Sequence, residues 1–212
     1  MKRRISTFLI SLSLLSLSAP SWATVIYVSG DQTGIWAADT VIVTAEVRVP
    51  PGESLTIQPG VEVLFSVYCK LIVDSAATLQ AIGSLTDSIR FDVLPPDTAW
   101  HGIRFLSASV SSRLEYCLLT HGLGTGNGAD SMGGAIYIGA PVTVGHCFIT
   151  NCTSKSGGGI YIGHVETGNV TIEDCIIMHC SATKGGGLDI YSCGASVNIL
   201  NCSITLNSAA GT

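Results

Sequence analysis

Charge is scarce in this sequence. Asp, Glu, Lys and Arg make up 12% of its 212 residues, about half of the usual quarter. Cations are the scarcer sign: ten Lys and Arg stand against 15 Asp and Glu. Three of the ten, Lys2, Arg3 and Arg4, sit at the extreme N-terminus. Nucleic acid and anionic membrane are both held by clustered cations, so neither is expected as a partner. Aromatics are few, at 7%. Beyond residue 23 there is no apolar run of the ~20 residues a spanning helix needs, and no amphipathic helix of useful length. Clustered acids are missing as well, since Glu173-Asp174 is the only adjacent pair. Acid/base cleavage of a glycosidic bond sets two carboxyl groups across one bond. That pair reads instead as a strand end meeting solvent.

Residues 1–23 read as a signal peptide: the cations at 2–4, an apolar stretch from Ile5 to Ser18, and the small-x-small site Ser21-Trp22-Ala23. The mature chain is therefore expected to be exported, secreted or at an outer surface, with no transmembrane helix. Without the leader it keeps seven cations against its 15 anions.

What the chain does have is a unit that comes round three times. It reads Gly133-Gly-Ala-Ile-Tyr-Ile138, Gly158-Gly-Ile-Tyr-Ile162 and Gly186-Gly-Leu-Asp-Ile190. A short alternating run and then a cysteine follow each copy: Cys147, Cys175, Cys202. Such periodicity marks a solenoid of stacked β-coils. Each coil is expected to hold three strands with alternate residues inward. One set is Ile136/Ile138, Val142/Val144 and Ile149. The next is Ile160/Ile162, Val170/Ile172 and Ile177, and the last Leu188/Ile190, Val197/Ile199 and Ile204. Three faces without interleaved helices point to an all-β, right-handed parallel β-helix. About six coils fit, a rod roughly 30 Å long. Gly-Gly at the corner allows φ > 0. Residues 24–94, with turns at Pro50-Pro51-Gly52 and Pro59-Gly60, are read as an N-terminal cap and first coils. Residues 95–212 are read as the repeats, incomplete at the C-terminus.

Eight cysteines in an exported chain suggest disulfides, but their phase argues otherwise. Cys117, Cys147, Cys175 and Cys202 recur at one position of the coil. Cys152 and Cys180 recur five residues later, where the last coil has Asn207. In-register parallel strands seldom give the S–S dihedral, so free, buried thiols are expected. His146 and His179 flank the Cys147/Cys152 and Cys175/Cys180 pairs. Structural zinc pairs are usually closer in sequence, and no metal or cofactor is expected. His146, Asp174 and Asn201 share one phase, with Tyr116 a coil earlier, and are read as a solvated ladder. The row Tyr137, Tyr161, Asp189 is the candidate binding site, because two exposed rings one coil apart would make an apolar platform for a sugar face or a partner side chain. Truncating both rings is expected to leave the coil core intact.

Gly133-Gly-Ala-Ile136, Cys147-Phe-Ile-Thr-Asn-Cys152 and Gly157-Gly-Gly-Ile160 resemble the paired motifs of chlamydial polymorphic outer membrane proteins. The second motif is degenerate here: Ile149-x-x-Cys152, Ile177-x-x-Cys180, Ile204-x-x-Asn207. Thr33-Gly-Ile-Trp36, Leu55-Thr-Ile-Gln-Pro-Gly60 and Trp100-His-Gly-Ile-Arg-Phe105 are similar to the opening region of bacterial secreted right-handed β-helix proteins with the pectate-lyase-like fold. The resemblance implies a surface or secreted location. Such folds carry adhesins, lyases and hydrolases alike. The Asn-Thr-Asp, Asp-Asp, Gly-His-Gly and Arg-x-Lys segments of polygalacturonases are not found. A non-enzymatic, adhesin-like binding face with a glycan or cell-surface protein as partner is the leading expectation. A polysaccharide lyase or glycoside hydrolase is the alternative.

Overall fold

A computed structural model describes residues 23–109 and 111–211. The leader assigned to residues 1–23 thus lies, apart from Ala23, outside the described residues. The chain winds as a β-solenoid in which every pairing between strands is parallel. Three faces recur. The first stacks Glu62–Phe65, Ile89–Val93, Cys117–Thr120, Phe148–Thr150, Ile176–Met178 and Ser203–Thr205. The second stacks Leu71–Val73, Ile103–Phe105, Ile136–Ile138, Ile160–Gly163 and Leu188–Tyr191. The third has seven strands, Gly34–Trp36 to Ser196–Leu200, one from each turn. The ten-residue strand Thr40–Val49 serves two faces: Thr40–Val43 pair on the first and Val47–Val49 on the second.

The copies align as their sequences suggest. Ile136, Tyr137 and Ile138 face Ile160, Tyr161 and Ile162, which face Leu188, Asp189 and Ile190. Alternation sorts the residues: Leu55 and Ile57 are sealed in the core while Thr56 between them is not. Ile136, Ile138, Val144, Ile149, Ile160, Ile162, Ile172 and Ile177 are all at 0% exposure. Each such side chain contributes about 1.5–3 kcal/mol by leaving water. The core runs unbroken from Val28 to Cys180. In the earlier coils aromatics fill it: Phe65 stacks on Trp100 at 4.4 Å, and the Trp100 indole N–H donates to the Thr120 carbonyl at 2.7 Å. Later coils use Ile and Cys.

All eight cysteines are free, and Cys117, Cys147, Cys152, Cys175 and Cys180 are buried. In the last coil Asn207 replaces the second stacked cysteine. Its side chain accepts from the Cys180 N–H and donates to the Ile177 carbonyl, both at 2.9 Å. A small apolar filler has thus been exchanged for a group that ties one coil to the one beneath.

The corners are sharper than the glycines alone suggest. Gly133, Gly157 and Gly185 have φ of 62°, 64° and 55°. The left-handed residue in the later copies is therefore the glycine before the pair in the repeat. Non-glycine residues do the same work around the first face: Tyr116, His146, Asp174 and Asn201 before its strands, His121, Asn151, His179 and Leu206 after them. The structure adds a fourth, short ladder between the first and second faces: Thr153–Ser156, Ser181–Lys184 and Ser208–Ala209. One coil earlier the same corner is a longer strap, Leu123–Met132, with a 3₁₀ turn at Gly128–Ser131. Among the described residues no helix is long and apolar enough to cross a membrane.

Candidate binding groove

The second face carries a continuous outward row: Arg48, Ile72, Arg104, Tyr137, Tyr161, Asp189. Each residue sits between two inward neighbours, so its side chain leaves the core. Tyr137 and Tyr161 stack with ring centroids 5.6 Å apart and 12° between planes. The ladder is therefore present, but the rings are not exposed platforms: Tyr137 is 7% and Tyr161 2% exposed. The reason lies two residues on. Residues i and i+2 share a face of a strand, and both tyrosines are followed there by glycine. A Cβ on Gly139 would stand 3.0 Å from the Tyr137 ring, and one on Gly163 2.6 Å from the Tyr161 ring. Each ring lies down over its glycine. Truncating them would therefore uncover structure, contrary to the expectation that they stand free of it.

Beside this row, the short ladder raises a wall. Lys155 and Ser156 come from one of its strands, Thr183 and Lys184 from the next. Between wall and row runs a groove of about 340 Å³. Tyr161 and Asp189 line its floor, Met132 belongs to the strap, His164 follows the strand Ile160–Gly163 and Tyr191 ends the strand Leu188–Tyr191. Of the three residues expected from sequence, two line the groove and the third, Tyr137, stacks on one of them. Burial pushes the Tyr161 phenol above its ordinary range, with Tyr137 and Asp189 adding to the shift. Burial likewise raises Tyr137, against the pull of Arg104. Both rings stay neutral hydroxyl donors at physiological pH. Tyr191 is 61% exposed and meets His164 edge-on at 6.0 Å. The groove thus offers ring faces, two ammonium groups, an imidazole and one carboxylate. These suit a ligand that carries both hydroxyls and apolar faces.

Lys155, Lys184, His164 and Tyr191 escaped the sequence reading. Their signal is weak: Lys155, Lys184 and His164 lie at corners where the coil period places no fixed residue type, and Tyr191 stands where the coil before it has Gly163. The row His146, Asp174, Asn201 is a corner ladder as expected: His146 stacks on Tyr116 at 4.5 Å, and its Nε2 is 3.9 Å from an Asp174 carboxylate oxygen, with both side chains exposed. A second constellation was also missed. Buried Asp92 accepts from the Val93 N–H at 2.7 Å and pairs with His121 Nδ1 at 2.8 Å and Arg90 at 2.5 Å. Twenty-nine residues, one coil, separate Asp92 from His121.

The family model described as "Right handed beta helix region" matches residues 99–212, just over half of the chain. Among curated proteins and among solved structures nothing matches.

Proposed function

The chain belongs to the right-handed β-helix family, and from that membership we propose that it is an exported surface or secreted protein whose second face and adjoining groove bind an elongated ligand, a glycan or a strand of a cell-surface protein. The observation that carries this reading is the groove itself, where Tyr161, backed by Tyr137, lies beside the Lys155–Lys184 wall and Asp189. The unbroken core beneath it supports the reading further, because a rigid floor loses little entropy when a ligand settles on it. Export rests on the leader, Lys2 to Ala23. The resemblance of Gly133-Gly-Ala-Ile136 to a repeat motif of chlamydial outer membrane proteins supports a surface location in this reading.

Binding is favoured over hydrolysis because one carboxylate, Asp189, lines the groove, where glycosidases use a pair. One observation speaks for a lyase: Lys155 and Lys184 share the groove with Asp189, and a lysine amine can take the proton in a β-elimination.

A panel of immobilised glycans and cell-surface proteins, probed with the full chain and with Tyr191→Ala and Lys184→Ala, tests the proposal. Both side chains are exposed, so the fold is spared. Each change is expected to weaken binding about tenfold, in the range of an anchor residue. Equal binding by parent and variants, or no binding by the parent to any glycan or surface protein, overturns the groove reading. Cleavage of a bound glycan, seen as new reducing ends or unsaturated products, replaces it with the enzymatic one.

A further inference from the structure

Arg104 is the least expected side chain on the outward row. It is 1% exposed. Its Nη1 donates to the Gly133 carbonyl at 2.6 Å, while Nε and Nη2 have no acceptor. Buried polar groups are almost always paired, and a buried cation short of acceptors is costly. Burial draws its pKa down to about 10, which still leaves it charged at neutral pH. The ionisable groups that face it are Asp130, Tyr68, Tyr137 and His101.

Asp130 comes from the strap. Lys70 Nζ holds its Oδ1 at 2.8 Å, and Glu46 stands 3.9 Å from the same ammonium group. His101, itself 7% exposed, hydrogen-bonds the Asp130 carbonyl through Nε2 at 2.8 Å and stacks on Tyr68 at 5.0 Å. Burial keeps His101 below its ordinary pKa, so it is the neutral Nε2–H form that donates. Partial burial works to raise the Asp130 carboxyl, but Lys70, His101 and Arg104 outweigh it and hold it low. The strap tip itself is weakly anchored. Residues 125–128 are exposed, glycines stand at 124, 126 and 128, and the Tyr68 hydroxyl reaches the Leu123 carbonyl and the Thr125 hydroxyl. No buried apolar side chain pins the tip, and segments docked through polar contacts open at low cost.

We propose that Lys70 and Arg104 form an oxyanion-binding site, walled by His101 and Tyr68, and that the strap delivers Asp130 into it as an internal occupant. The ligand group is a carboxylate or sulfate that takes the place of Asp130 and completes the hydrogen bonding of Arg104, whose planar fork suits such oxyanions. The site is distinct from the groove and stands on the unmatched N–H groups of Arg104, whatever the groove binds. An acid group seated here would have the Tyr137–Tyr161 row directly beside it.

The test is calorimetric titration of the full chain with sodium sulfate and, separately, sodium acetate, at constant ionic strength set by chloride. Asp130→Asn keeps the side-chain size and removes the charge. It is expected to bind one or both anions saturably, at least tenfold more tightly than the parent. Adding Lys70→Met or Arg104→Met should abolish the gain, and Met at these half-apolar sites leaves the coil filled. Sulfate alone, acetate alone or both would name the ligand chemistry. No gain on Asp130→Asn, or a gain that survives both Met changes, overturns the site. Should Asp130→Asn lose its β-sheet circular dichroism, the parent decides: hydrogen exchange of strap amides 125–131 must quicken in sulfate or in acetate relative to chloride, and equal exchange in all three refutes the proposal.

Discussion

Replacing Tyr161 by Ala should destabilise the chain by about 4 kcal/mol. A Tyr side chain removes at least ~150 Å² from water when buried, and Tyr161 retains 2% exposure. At about 25 cal/mol per Å² this is roughly 4 kcal/mol, of which the Ala methyl keeps about 1. Loss of the stack on Tyr137, at 5.6 Å, adds about 1 kcal/mol. Tyr161→Phe keeps the ring over Gly163 and should stay within about 1 kcal/mol of the parent. Gly163→Ala is the converse, since its Cβ would stand 2.6 Å from the ring. It should lift the ring into the groove and raise tyrosine accessibility to an aqueous quencher. Urea unfolding followed by far-ultraviolet circular dichroism gives the free energies, with an unchanged m-value as the check that only stability has moved. A Tyr161→Ala loss below about 1 kcal/mol would mean that the ring stands in solvent, and the account of rings laid over glycines would fail.

The cysteine stacks and the corners yield two more outcomes. Burial holds the Cys147 and Cys152 thiols well above their ordinary value of 9.0. Their contribution is complete below the unfolded pKa and is lost as pH rises past it. The urea midpoint should therefore hold steady to about pH 8 and fall above about pH 9, with a smaller fall in Cys147→Ala; an identical fall in that variant refutes the assignment. In the native chain at neutral pH these thiols should also react little with Ellman's reagent, and all should react once denatured without reductant. At the corners, a Cβ on Gly158 would run into the carbonyls of Gly186 and Ser181, whereas one on Gly30 meets nothing within 4 Å. Gly158→Ala is expected to cost above about 4 kcal/mol, and Gly30→Ala only the roughly 1–2 kcal/mol of a left-handed backbone. Similar midpoints for the two would show that coil spacing relaxes freely.

Much of the fold was legible because a solenoid writes its periodicity into the chain. The match of Ile136, Ile160 and Leu188, and the two cysteine phases, follow from stacking identical positions on one another. The outward row was legible for the same reason, since Tyr137, Tyr161 and Asp189 stand between inward residues. Its burial was not, although Tyr137-Ile-Gly139 and Tyr161-Ile-Gly163 held the signal in the glycine two places on. Lys155 and Lys184 were illegible because the corner that holds them has no fixed length, and the Asp92–His121 pair because it joins a strand residue to a corner residue one coil on. A contact between residues 29 apart requires knowing how long each corner is. Arg104 reads as an ordinary outward cation until the strap covers it.

The left-handed residues set where this chain can change length. Tyr116 and His121, His146 and Asn151, Asp174 and His179, Asn201 and Leu206 all stand five positions apart, so one residue added between them would turn the next strand inside out. The corner that follows is free of that constraint. His121 and Gly133 are twelve apart, Asn151 and Gly157 six, His179 and Gly185 six, yet Ile136, Ile160 and Leu188 still meet in register. Novelty in this architecture therefore has an address: a loop of foreign length or composition can be grafted at such a corner while the stacking rhythm beneath it goes on undisturbed.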